Sequence, residues 1–306
     1  MSVKRLKRSD NLKTVGKKKT VASGVSLPTG MSEGPKDLFS LTMCLYGTKG
    51  IGKTSLTALF PDALNFQFEP GRRNIRMWTV PQAKEPSLDW DSFKDYVSIL
   101  LRKTEDIKRV PRVIVIDTID RCYEACFEAV CKRWDVEHPS DPKVEKLYGR
   151  VWTDIRMEFT HTLDSLKEKY CCIFISHERE RPIPGTELMQ VAPTCTPSCW
   201  EYMKAGTDLA FFYGYRGKER VLIMQGNEDV WASCQVDGHF IHPVSKEPLA
   251  MINMGQTART ALDSLTAAWE NKMDGWTVND LYEMEVVEPR KVREMIKKRR
   301  PKKSKG

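Results

Sequence analysis

The sequence predicts an α/β fold: a mainly parallel sheet flanked by helices, with an antiparallel extension and disordered basic tails. Three observations carry this. From Leu41 onward, short apolar runs alternate with longer amphipathic stretches, the pattern of βαβ units in a sheet covered on both faces. A glycine-rich turn joins the first run to the first helical stretch. After residue 208 the runs are instead separated by short Gly-containing turns, the connections of antiparallel strands.

The elements follow in order. Residues 1–38, rich in Lys, Ser, Gly and Pro and lacking aromatics, read as a basic disordered arm. The runs Leu41–Tyr46, Ala63–Phe68, Val113–Ile116 and Cys171–Ile175 are strand-like. Between them the pattern predicts helices over Lys53–Phe60, Asp89–Lys103, Ile119–Trp134 and Lys143–Lys169. Strands are then predicted over Leu209–Tyr215, Arg220–Met224 and Val230–Cys234, with turns at Arg216-Gly217-Lys218 and Gly226-Asn227. A helix near Thr257–Lys272 follows. The expected organisation is a basic arm over 1–38, an α/β core over 39–245, a helical extension over 246–287 and a basic tail over 288–306. No internal repeat is found.

Composition narrows the function classes. Of 306 residues, 41% are hydrophobic, and no apolar run approaches the roughly 18 residues of a membrane span. The basic start is not followed by the apolar stretch of a signal peptide, and nine cysteines are an odd number. Reduced thiols in the cytoplasm are therefore expected. The net charge of +8 conceals an asymmetry. Residues 1–20 hold eight Lys/Arg against one Asp, and residues 290–306 hold ten against one Glu, which leaves −8 on residues 21–289. Basic arms of this density neutralise nucleic-acid phosphates, although solubility tails or a localisation address have the same composition.

Gly47-Thr48-Lys49-Gly50-Ile51-Gly52-Lys53-Thr54 fits G-x-x-x-x-G-K-[ST] at every fixed position, with a strand before it and a helix after it. Glycines there let backbone N–H groups converge on phosphate oxygens, Lys53 reaches the β- and γ-phosphates, and the Thr54 hydroxyl ligates magnesium. Residues Gly47 to Ser55 are the expected nucleotide cradle. Asp117, emerging from Arg112-Val113-Ile114-Val115-Ile116, is the expected magnesium-side carboxylate. Thr118 and Asp120 follow it, and a helix N-cap is the plainer role for either Asp. Glu69, after Ala63–Phe68, falls at the same strand edge as a candidate to activate water; it is also an ordinary strand-end turn residue. His177, in Ser176-His177-Glu178 after Cys171–Ile175, is a candidate γ-phosphate sensor; a hydrogen-bonded strand-end residue is its plainer role.

These residues, in this order, resemble the RecA/Rad recombinase-type ATPase core. The nearest likeness is to small phage-encoded members, the Sak-group single-strand annealing ATPases and related phage nucleotide-binding AAA-type proteins. The resemblance covers about residues 39–245 and implies a RecA-like P-loop NTPase core. It implies catalytic roles for Lys53, Glu69, Asp117 and His177, with ATP and Mg²⁺ as cofactors. It also implies a mobile DNA-binding loop at Arg179–Trp200. Read from its residues, the Arg-, Pro- and Thr-rich stretch Glu178–Trp200 offers Arg179 and Arg181 as candidates to hold phosphates while an aromatic stacks on a base, and it equally suits a lid or an inter-subunit contact. Beyond it, Ala205–Arg216 resembles the strand and basic turn that close that core. The amino-terminal polymerisation motif of full recombinases is missing, so annealing or loading is expected in place of filament-based strand exchange.

The resulting expectation is a DNA-stimulated ATPase of phage-type recombination or replication. Its partners would be single-stranded DNA, a single-strand-binding protein and further copies of itself. Lys297, Lys298, Arg299 and Arg300 complete the expected DNA contacts. Lys204, Arg216 and Lys218 are candidates for a cation donated to a neighbouring subunit, and the last two also read as a solvated hairpin turn. Cys195 and Cys199 with His239 and His242 have poor zinc spacings, while Cys122, Cys126 and Cys131 read as small helix-packing residues. A small-molecule kinase and a non-catalytic nucleotide switch are the rival readings.

Overall fold

A computed structural model describes residues 34–69, 74–80, 87–102 and 109–281. They build one sheet of eleven strands: β1 (Met43–Gly47), β2 (Ala63–Gln67), β3 (Trp78–Val80), β4 (Val113–Asp117), β5 (Cys171–Pro182), β6 (Met189–Pro193), β7 (Leu209–Arg216), β8 (Glu219–Ile223), β9 (Ser233–Cys234), β10 (Leu249–Asn253) and β11 (Trp276–Thr277). The path across the sheet is β11-β10-β8-β7-β1-β5-β4-β2-β3, with β6 paired to β5 and β9 to β7. From β7 to β3 every pairing along this path is parallel, and from β7 to β11 every pairing is antiparallel. The α/β class and the antiparallel extension are as the sequence predicts.

The reason lies in the strand residues. β1 and β4 are buried at all five positions, because strands covered on both faces must be apolar throughout. Successive side chains point to opposite faces. Ile114 and Ile116 enter one core with Trp90, Phe93, Cys122, Ile155 and Phe159, whereas Val113 and Val115 enter the other with Leu56, Leu265 and Trp269. The first core is closed by α2 (Trp90–Leu101), α3 (Ile119–Arg133), α4 (Arg150–Lys167) and α5 (Pro197–Gly206). The second is closed by α1 (Lys53–Thr57) and α6 (Ala258–Trp269). Burying each such Ile contributes about 1.5–3 kcal/mol.

Three departures from the sequence reading have local causes. The helix expected over Lys143–Lys169 is interrupted, because Tyr148 and Gly149 adopt left-handed conformations (φ 49° and 79°); a 3₁₀ turn over Pro142–Leu147 precedes it. The stretch 246–287, expected to be helical, also supplies β10 and β11, since the apolar run Leu249–Ile252 extends the sheet beside β8. The third departure corrects the loop expected at Arg179–Trp200. β5 runs past the sheet edge to Pro182, returns as antiparallel β6, and is followed directly by α5.

Helix ends are capped where the chain demands it. The Asp89 carboxylate accepts from the Ser92 amide at 2.9 Å, and Thr257 with Thr260 forms a reciprocal capping box on α6. Among the described residues no helix is long and apolar enough to cross a membrane. The tail residues Lys297, Lys298, Arg299 and Arg300, and most of the basic arm, lie outside the described residues.

Candidate nucleotide site

Parallel strands bring their carboxyl ends to one edge, and the sequence-predicted residues meet there. β1 delivers Gly47, which φ 141° and crowding both reserve for glycine: a Cβ there would stand 2.0 Å from the Tyr213 carbonyl oxygen. That closeness is used, since the Thr48 amide donates to the Tyr213 carbonyl at 3.2 Å and pins the turn to β7. Ile51 is fully buried and anchors the middle of the turn in the core, while Lys49 and Gly50 stay exposed. Gly52 (φ 109°) precedes α1, so Lys53 and Thr54 enter the site as buried residues; Ser55 is half-buried behind them. α1 is shorter than its expected Lys53–Phe60 span and closes in tight turns before Pro61.

Lys53 Nζ donates to the carbonyls of Gly47 (2.7 Å) and Thr48 (3.1 Å). The Thr54 hydroxyl donates to Asp117 Oδ2 at 2.7 Å. Asp117 lies at the end of β4, level with Gln67 of β2 and Ile175 of β5, and is buried. A hydroxyl and a carboxylate, both hard oxygen donors, face each other beside the glycine turn. That donor set suits a nucleotide-bound Mg²⁺.

Glu69 and His177 also meet. His177 Nε2 stands 3.2 Å from Glu69 Oε1, and the Thr118 hydroxyl donates to the same oxygen at 3.3 Å. The bond to His177 is the main reason the Glu69 carboxyl is held below its usual range, against partial burial pushing the other way. His177 Nδ1 is buried without a hydrogen-bond partner. Asp120, in the first turn of α3, is buried, accepts from the Ser176 hydroxyl at 2.6 Å, and is pushed up by burial.

Other predicted residues fall elsewhere. Arg179 is exposed on the β5–β6 hairpin. Arg181 is turned inward: its guanidinium donates to the Pro193 carbonyl at 3.1 Å and to the Cys195 carbonyl, and covers the Trp200 ring. It is thereby engaged within the fold, where a phosphate contact was expected. Lys204 pairs with Glu201, and Arg216 lies over Trp276. Cys195 and Cys199 are buried near Asp120, whereas His239 stacks on Trp269 and hydrogen-bonds the carbonyls of Trp269 and Pro35. Cys122 and Cys126 are buried on α3 facing the first core.

Sequence reasoning missed several contacts. Glu178 Oε2 accepts from the Thr48 hydroxyl at 3.4 Å. Arg220, bonded to the Tyr213 phenol, brings Nη1 to 3.8 Å from where a Cβ on Gly52 would stand. The Tyr46 hydroxyl reaches the carbonyls of Val191 (3.1 Å) and Trp231. The sequence also contains Asn271-Lys272-Met273-Asp274, which has the N-K-x-D form of a guanine-reading motif. Its geometry removes it from the site. Asn271 bonds Ile241 N and Gly238 O, and Lys272 pairs with Glu270. Glu270 in turn lines a groove with Asp37 and Arg112. Those two residues precede β1 and β4, at the edge opposite the phosphate loop.

A glycine turn between strand and helix, a buried Lys–Thr pair and a strand-end aspartate define the class as a P-loop nucleotide-binding protein. A family model described as an AAA domain matches residues 40–233, well over half of the chain. The chain belongs to this family of AAA-type P-loop ATPases. No curated protein sequence matches it.

Proposed function

We propose that the protein binds and hydrolyses ATP on a RecA-like core and acts on single-stranded DNA in phage-type recombination or replication. The observation that carries the enzymatic part is the convergence at one sheet edge of Lys53, the Thr54–Asp117 pair and the Glu69–His177 pair. In this reading, loop amides and Lys53 hold the β- and γ-phosphates, and Thr54 and Asp117 hold Mg²⁺. The metal supplies charge neutralisation at those phosphates. Glu69, kept ionised by His177, orients and deprotonates water.

The DNA part is supported by the two basic tails and by Arg179, exposed on the hairpin that leaves the site directly after His177. The resemblance to annealing ATPases and the spread of charge favour annealing or loading by a homo-oligomer, with a single-strand-binding protein as a further partner. The test is ATP turnover with and without single-stranded DNA. It compares the full chain, Lys53→Ala, and a form lacking residues 1–20 and 290–306. Stimulation that disappears in Lys53→Ala supports the whole reading, and its loss on truncation assigns the tails to DNA. Turnover indifferent to DNA, together with no DNA binding at low salt, sinks the DNA part in favour of a small-molecule kinase or a switch.

A further inference from the structure

β5 does not stop where its neighbours stop. β1 ends at Gly47, level with His177, and β4 ends at Asp117, level with Ile175, but β5 continues to Pro182 and turns back as β6. The first residue beyond the level of Gly47 is Glu178. Its carboxylate accepts from the Thr48 hydroxyl at 3.4 Å. On the same loop residue, the Thr48 carbonyl receives Lys53 Nζ at 3.1 Å. Glu178 thus shares Thr48 as a contact with the ammonium that meets the terminal phosphates in the reading above, and the two charges interact. It is half-buried, and burial raises its carboxyl against opposing pulls from Thr48, Lys53 and His177. Neither the metal pair nor the Glu69–His177 pair uses it.

We propose that Glu178 sets the preference between nucleoside triphosphate and diphosphate at this site, and that it passes the difference to the β5–β6 hairpin. The proposal rests on the P-loop reading. A triphosphate brings a further negative charge to the Lys53 end of the cradle; a diphosphate does not. Like charges brought to the same end of the cradle repel, so Glu178 disfavours the triphosphate selectively. When the terminal phosphate is present, the carboxylate gives up its contact with Thr48 and withdraws.

The backbone at this point belongs to the hairpin. Glu178 pairs with Pro193 on β6, and the Thr194 amide donates to the His177 carbonyl at 3.0 Å and to the Ser176 hydroxyl at 3.1 Å. A shift of Glu178 therefore moves both hairpin strands, with exposed Arg179 next in line. A ligand shifts such an equilibrium only by its differential interaction with the two arrangements, and the like-charge contact is that difference.

The experiment measures affinities of the full chain for ADP and for a non-hydrolysable ATP analogue, both with Mg²⁺, in wild type, Glu178→Gln, Glu178→Asp and Lys53→Ala. Hydrogen exchange of the amides over 179–193 is followed in each complex. Glu178→Gln is expected to tighten the triphosphate about tenfold relative to the diphosphate, the effect of removing one like-charge contact in a partly solvated site. It should also erase the difference in hairpin exchange between the two nucleotides. Glu178→Asp, which retracts the charge by one methylene, should shift the ratio the same way by less. An unchanged ratio in both Glu178 variants, with binding lost in Lys53→Ala, overturns the role of Glu178 and leaves the P-loop reading standing. Binding that survives in Lys53→Ala overturns that reading itself.

Discussion

The two halves of the sheet meet at β1 and contribute to the nucleotide site in different ways. On one side, β5, β4 and β2 run parallel to β1 and bring polar residues to its carboxyl edge: His177 within β5, level with Gly47, Asp117 at the end of β4 and Glu69 just past β2. On the other side only β7 is joined by a parallel pairing; β8 runs against it and β10 reverses again. That half offers the site a backbone carbonyl at Tyr213 and the flanking Arg220. Parallel pairing sends every crossover back to the same edge, so side chains at successive strand ends accumulate in one place. Antiparallel returns spread strand ends over both edges, and such a half braces a site more readily than it composes one.

Three substitutions sharpen or break this comparison. The largest effect is expected at Lys53, in the half that composes the site. Lys53→Ala should lower ATP turnover about a thousandfold, the scale for removing a preorganised charge from a phosphoryl-transfer site. A turnover assay checks this, and an unchanged melting temperature would show that the loss is chemical. Next is the join between the halves. Gly47→Ala places a Cβ against the Tyr213 carbonyl and should destabilise the fold by about 3 kcal/mol or more, read from denaturant unfolding. An unaffected midpoint would mean that the halves are not locked together there.

The smallest effect is expected at His177. His177→Ala should lower turnover about tenfold, within the range for support of a general base. It should also shift the acid limb of the pH–rate profile. Glu69 is held below its usual range chiefly by His177, so its carboxylate stays charged to lower pH in the wild type. Without the imidazole the carboxyl rises, and activity is lost at a higher pH on descending through it. A limb that stays in place would dissociate His177 from Glu69.

Much of the parallel half was legible in the sequence because its signals are local. Gly47–Thr54 announces itself by spacing, and Val113–Asp117 by four β-formers ahead of a carboxylate. Glu69 was found by the same strand-end logic, although its pairing with His177 joins residues 108 positions apart and follows from strand order alone. What was not legible depended on continuation and direction. Nothing in Ser176-His177-Glu178 says that β5 keeps going past the edge, so the hairpin has the composition of a loop and the sequence assigns Glu178 no role. Arg181 has the composition of a phosphate contact, but it turns toward the Pro193 and Cys195 carbonyls, a choice set by β6 and α5. Asn271-Lys272-Met273-Asp274 shows the reverse case, a motif whose spelling suits guanine and whose position does not.

The central claim is that the polar strand ends of the parallel half hydrolyse ATP with Glu69 as the water-activating carboxylate. Single-turnover hydrolysis by Glu69→Gln, set beside its ATP affinity, tests it most directly. The account predicts that the chemical step slows by about a hundredfold or more, while ATP binds as tightly as in the wild type. A Glu69→Gln protein that hydrolyses bound ATP at the wild-type rate would contradict it.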